Sequence, residues 1–210
     1  MDALIFDLDG TLWDSTYAVA DIWNTVLEEH EDTPFRLTQP EISRLFGRTM
    51  EEIAAVIFRG LSPEKRAAYM HECEVRECEV LARTGALLYP HVEETLVLLS
   101  RSYDLYIVSN CQDGYVQAFL QAHHLAAYFR DYEMYGRTML LKADNIRLLM
   151  ERNHITKAAY IGDTAGDESS SREAGIPFIH AAYGFGTASA PAAVIHSFSE
   201  LPGAAASVLK

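Results

Sequence analysis

Asp7 and Asp9 stand two residues apart, directly after the apolar run Ala3 to Phe6 and directly before Gly10-Thr11-Leu12. A short apolar run closed by a polar turn reads as a buried strand, so Asp7 falls at that strand's carboxyl end. Gly10 lets the backbone fold tightly behind the pair. Carboxylates this close repel each other unless a cation or a shared proton neutralises them. A plain Asp-Gly surface turn is the simpler alternative, but it gives no reason for an acid at a strand tip. Further along, V-S-N at 108–110, Lys142 at the head of a helical pattern, and G-D-T-A-G-D at 162–167 offer a hydroxyl, an ammonium and two more carboxylates. An aspartate can attack phosphorus as a nucleophile. Mg²⁺ held by carboxylate oxygens removes the repulsion between two anions. Asp7, Asp9, Asp163 and Asp167 can supply those oxygens, and Lys142 and Ser109 can supply donors to a phosphoryl group.

The elements that must position these groups follow from the apolar pattern. Val19, Ile22, Trp23, Val26 and Leu27 form one helical stripe, and Met50, Ile53, Ala54 and Ile57 form another. Thr49 with Glu52 reads as a capping box, and Ser62-Pro63 as a helix start that runs to Arg83. Residues 15–84 therefore read as helical throughout. After Gly85 the pattern changes to alternating helix and strand, with strands expected at 105–108, 132–135, 158–161 and 176–179 beside the first at 3–6, and helices at 142–152 and 169–174. Alternation of this kind implies a parallel sheet covered on both faces. The fold class is α/β, a three-layer Rossmann-like core with a mainly parallel five-stranded sheet over residues 1–14 and 85–210. An all-helical unit, residues 15–84, is inserted in it. Ligands of such sheets bind beyond the carboxyl ends of the strands, where Asp7, Ser109 and Asp163 would converge.

Composition bounds the partners. Of 210 residues 49% are apolar, enough for a substantial core, and the formal net charge is −13. An acidic surface disfavours nucleic acid and anionic membranes. Three scattered cysteines make no disulfide framework. No leader pattern or membrane-length apolar run is visible, so a cytoplasmic protein is expected, a monomer or weak dimer.

The motifs D-x-D-G-T-L, V-S-N, Lys142 and G-D-T-A-G-D together resemble those of the haloacid dehalogenase-like (HAD) phosphohydrolases, and the helical insert resembles the small cap of phosphoglycolate-phosphatase-like members. The resemblance implies that Asp7 is the nucleophile and a metal ligand. It implies that Asp9 is the general acid and base and binds Mg²⁺ through its carbonyl. Ser109 and the Asn110 backbone would hold phosphoryl oxygens, and Lys142 would bridge nucleophile and phosphate. Asp163 would bind the metal, with Asp167 a ligand or its supporting acceptor. The implied activity is Mg²⁺-dependent hydrolysis of a small phosphorylated metabolite through an aspartyl-phosphate. A β-phosphoglucomutase-like phosphomutase and a non-catalytic binding protein are the alternatives. Gly162, in place of an acid found in some mutase relatives, counts against the mutase.

Several residues carry weaker signals. Arg48, at a Gly-broken corner, is the candidate for reading a carboxylate or second phosphate of the substrate, with an exposed loop arginine as the alternative. Glu72, Glu74, Glu77 and Glu79 read as a solvated helix face. Trp13, Tyr17 and Trp23 read as hinge and cap core, and Cys111 as a packed neutral thiol.

Overall fold

The computed structural model describes residues 1–210. Strand β1 (Ala3–Phe6) is followed by the two-residue β2 (Trp13–Asp14) and four helices, α1 (Thr16–Leu27), α2 (Gln39–Ser43), α3 (Met50–Ile57) and α4 (Pro63–Thr84). The chain then alternates through β3 (Leu87–Leu88), α5 (Val92–Leu99), β4 (Asp104–Ser109), α6 (Tyr115–His123) and β5 (Phe129–Met134). It continues with α7 (Tyr135–Thr138), α8 (Lys142–Arg152), β6 (Ala158–Gly162), α9 (Ala165–Ala174), β7 (Phe178–Ala181), β8 (Ala193–Ile195) and α10 (Leu201–Val208).

Six strands form one parallel sheet in the order β5-β4-β1-β6-β7-β8. The chain builds outward from β1 on one side, then returns and builds outward on the other. The point of reversal flanks β1, which is where such sheets bind ligands. Phe6 is level with Ile107 on one side and Ile161 on the other. The residues just past these positions therefore leave the sheet side by side.

Strand alternation divides β1 between two cores. Leu4 and Phe6 join the larger apolar cluster, which runs on without a break to Trp23, Ile53 and Leu81 of the helices between β2 and β3. Ala3 and Ile5 join a smaller cluster with Ile146 and Leu149 of α8. Every residue of β1 is buried, as a central strand covered on both faces must be.

Every regular element between β2 and β3 is a helix, and β2 and β3 pair antiparallel where the chain leaves and re-enters the sheet layer. Local chemistry sets the helix ends. Thr49 and Glu52 make a reciprocal capping box on α3. Ser62 caps α4, and Gly85, at φ +63°, ends it in a conformation that favours glycine.

Four features differ from the sequence expectation. The sheet has six strands instead of five, because the three-residue edge strand β8 is too short to show a period. The strand expected at 176–179 begins at Phe178, because Ile176 donates its N–H to Ser171 and finishes the preceding helix end. The strand expected at 132–135 begins at Phe129 and yields to α7 at Tyr135. Helix α9 starts at Ala165, well before residue 169, because Thr164 and Asp167 form a capping box with Asp in the usual Glu position.

Candidate active site

Four loops at the carboxyl edge of the sheet build the site. Asp7 follows β1, Ser109 ends β4, Asp163 follows β6, and Lys142 opens α8. All four side chains are buried. Lys142 is not a surface lysine: its Nζ donates to Asp7 Oδ1 at 2.8 Å and to Asp167 Oδ1 at 2.5 Å. The other oxygen of Asp167 accepts from the backbone N–H and hydroxyl of Thr164 at 3.0 and 2.7 Å. Asp167 thus spends both oxygens on protein donors, fixing Lys142 and the start of α9.

Asp7, Asp163 and Asp167 place carboxylate oxygens within 4.8 Å of one another. One ammonium cannot neutralise three buried carboxylates. Burial, opposed by Lys142 and aided by the Asp167 charge, pushes Asp7 up to about 7. Burial and the charges of Asp167 and Asp7 push Asp163 up to about 8. Burial works against the Lys142 ammonium, but the Asp167 and Asp7 charges hold its pKa well above the ordinary value. Such a cluster holds either a proton or a cation. A hard divalent cation fits it. Asp163 Oδ2 accepts the Phe185 N–H at 2.7 Å, while the buried Oδ1 has no hydrogen-bond partner. The acids of the cluster offer oxygen ligands, the preference of Mg²⁺.

Two glycines make room for this packing. Gly10 sits at φ +79°, and a Cβ there would lie 2.3 Å from Asp163 Oδ2. At Gly184 a Cβ would lie 2.4 Å from the Asp163 Cβ. Any side chain at either position would displace the carboxylate.

Asp9 is held by residues that the sequence reading passed over. Its Oδ1 accepts from Ser15 Oγ at 2.6 Å and from the Tyr115 hydroxyl at 2.9 Å. Ser15 precedes α1 and Tyr115 is the first residue of α6. Burial raises Asp9 to about 6, and these hydrogen bonds restrain the rise. The carboxyl therefore titrates near neutrality from a fixed orientation. No sequence motif flags Tyr115, since it reads as one more apolar helix residue.

The inserted helices cover the pocket and leave a cavity of about 30 Å³, the room of a single water. Trp23, Phe46, Met50, Ile53 and Glu77 line it from that side, and Ser109 and Asn110 from the sheet side. Asn110 Nδ2 donates to the Gly47 carbonyl at 2.8 Å, tying the two sides together. Glu77 is buried, not solvated as its neighbours on α4 suggested, and its Oε2 accepts the Trp23 indole N–H at 2.6 Å. Tyr17 is 68% exposed, outside the core assigned to it from sequence, whereas Trp13 and Trp23 are buried. Arg48 is exposed and lines a separate outer groove with Arg36, Arg44 and Arg59. It is not among the residues around Asp7, because the backbone at Gly47 presents its carbonyl to Asn110 and Arg48 turns to solvent.

The chain is similar to known proteins in sequence and in fold. The family model for haloacid dehalogenase-like hydrolases matches residues 4–181. A probable phosphatase, IndB, from Dickeya dadantii is 28% identical over 99% of this chain and 94% of its own length. A phosphoglycolate phosphatase from Synechococcus elongatus is 30% identical over 88% of this chain and 85% of its own. Among solved structures, a haloacid dehalogenase-like hydrolase from Streptococcus pneumoniae superimposes with a TM-score of 0.81 at 24% identity, covering 97% of both chains. The chain belongs to the haloacid dehalogenase-like hydrolase family. Within it the chain is a phosphatase, a phosphoric monoester hydrolase. No helix is long and apolar enough to cross a membrane.

Proposed function

We propose that this protein is a Mg²⁺-dependent phosphatase that hydrolyses a small phosphorylated metabolite through an aspartyl-phosphate on Asp7. Residues 1–14 and 85–210 would form its catalytic core and residues 15–84 its cap. The observation that carries this reading is the buried clamp of Lys142 between Asp7 and Asp167, beside an Asp163 oxygen with no partner.

Asp7 and Asp163, with the Asp9 carbonyl, would hold the Mg²⁺, which would supply positive charge against the negative charges of nucleophile and phosphate. Lys142 holds one oxygen of Asp7, so the carboxylate meets phosphorus in a fixed direction. The Ser109 hydroxyl and the Asn110 N–H would donate to phosphoryl oxygens. Asp9, oriented by Ser15 and Tyr115, would give its proton to the departing alkoxide. It would then take one from the water that attacks the aspartyl-phosphate. Asp167 is assigned to positioning Lys142. The inserted helices lie over Asp7 and Ser109 and would exclude water from a bound substrate. A phosphomutase holding a bisphosphate would need a second cation in the pocket; Lys142 is the only lysine or arginine lining it.

The test is phosphate release from a panel of phosphorylated metabolites with Mg²⁺, beside an Asp7→Asn control. Release by the wild type and none by the variant is expected. Equal release by both would remove the nucleophile assignment.

A further inference from the structure

The pocket's charge inventory is unbalanced on the side where a leaving group would sit. Lys142 is its only cation, and that ammonium is already engaged by Asp7 and Asp167 at 2.8 and 2.5 Å. A second anionic group on a substrate would find no counter-charge. The cap-side wall carries Glu77, 2% exposed, against the indole of Trp23. The charged groups acting on Glu77 are Asp9 and Glu74, both acidic, and together with burial they push its carboxyl up to about 8. Met50 and Gln112 border both this pocket and a neighbouring groove of about 500 Å³. That groove is lined by Glu51, Glu74, Glu79 and Asp113 and by no lysine or arginine.

A carboxyl buried beside acids, with neutral donors but no cation, costs stability, and here it stands at the wall of a reaction pocket. An ammonium group removes that cost. It pairs with the carboxylate and is attracted to an aromatic face. A carboxylate in the same place would gain no such pairing, because Lys142 is the pocket's only cation and is already engaged.

We infer that the substrate is the phosphate monoester of an amino alcohol, whose ammonium group is read by Glu77 and Trp23. This rests on the phosphatase reading above and narrows it to one chemical class. The ester oxygen–phosphorus bond breaks as the bond from Asp7 to phosphorus forms, and the alkoxide takes the Asp9 proton. Water then attacks phosphorus as the bond from Asp7 to phosphorus breaks and frees the carboxylate, and the water's proton goes to Asp9. The products are the free amino alcohol and inorganic phosphate. The phosphoglycolate phosphatases similar to this chain act on an ester whose leaving group carries a carboxylate, and this pocket offers that group no cation.

The experiment compares 2-aminoethyl phosphate, 2-hydroxyethyl phosphate and 2-phosphoglycolate as substrates of the wild type and of Glu77→Gln, with Mg²⁺. Gln keeps an acceptor for Trp23 and loses the charge. For the wild type, kcat/KM should favour aminoethyl phosphate over phosphoglycolate by about tenfold or more, the scale of one charge-assisted hydrogen bond. Glu77→Gln should erase that advantage and lower the kcat/KM ratio of aminoethyl phosphate to hydroxyethyl phosphate by about tenfold. A second readout needs no variant: 2-aminoethanol should inhibit turnover of an aryl phosphate more strongly than glycolate does. Preference for phosphoglycolate, or an equal loss on all three substrates in Glu77→Gln, overturns the assignment. Turnover of the aryl phosphate with no selection for the amine sinks this inference alone. No turnover of any ester sinks the phosphatase reading with it.

Discussion

Replacing Lys142 with Met preserves the length of the side chain and removes the one positive charge among three buried carboxyls. In the wild type Nζ bonds both Asp7 and Asp167, each almost fully buried. Removing one member of a buried ion pair costs about 3–5 kcal/mol, a large share of the 5–15 kcal/mol that holds a typical domain together. The loss should depend on pH. Asp7 is raised from 3.8 to about 7 in the folded protein. A raised carboxyl contributes stability that is complete below its unfolded value and lost as pH rises through its folded value. Lys142 is the main influence that restrains the rise, so without it Asp7 holds its proton to still higher pH. The variant's deficit should therefore be small near pH 4 and open as pH passes about 7. Urea unfolding with chelator, followed by the fluorescence of Trp13 and Trp23, measures it at about pH 5 and about pH 8. The part of the deficit carried by the Asp7 proton should open by up to about 1.4 kcal/mol for each pH unit above about 7, with activity abolished. A deficit below about 1 kcal/mol there, or one that does not change with pH, would refute the clamp as described.

Three further outcomes follow from the geometry. Tyr115→Phe removes one of two donors to Asp9, so its pKa should rise above about 6. If Asp9 delivers the leaving-group proton, the falling limb of the kcat/KM profile should move to higher pH, with about 1 kcal/mol of stability lost; an unmoved limb would separate Tyr115 from the proton transfer. Mg²⁺ at about a hundred times its dissociation constant should stabilise the wild type by about 2.7 kcal/mol and Asp163→Asn by much less; equal shifts in a thermal melt would remove Asp163 from the metal site. Arg48→Ala should leave kcat/KM and stability nearly unchanged, within about 0.5 kcal/mol, because Arg48 is exposed in the outer groove; a raised KM would return it to substrate binding.

The sheet and the acids were legible in the sequence because one signal carried both. An apolar run that stops at a polar residue marks a strand and its tip together, and Asp7, Ser109 and Asp163 lie at such tips. Lys142 was legible only through its place between strands, since nothing in Lys-Ala-Asp says that the side chain turns inward. Glu77 was misread because its neighbours Glu72, Glu74 and Glu79 are acidic too, and a helix pattern does not tell which turn of α4 meets Trp23. The hold of Ser15 and Tyr115 on Asp9 joins residues 6 and 106 positions away, and no local pattern encodes such a meeting. β8 escaped because three residues among alanines and a proline carry no period, and α9 was shortened because Asp167 serves both the helix cap and Lys142.

The central claim is the covalent step at Asp7. The direct measurement is an acid quench of the Mg²⁺-loaded protein during turnover, with mass analysis of the peptide that contains Asp7. A phosphoryl group on that peptide, labile to base and absent from Asp7→Asn, is the expected result. Steady turnover with no phosphorylated peptide at any quench time, or with the label on another residue, would contradict it.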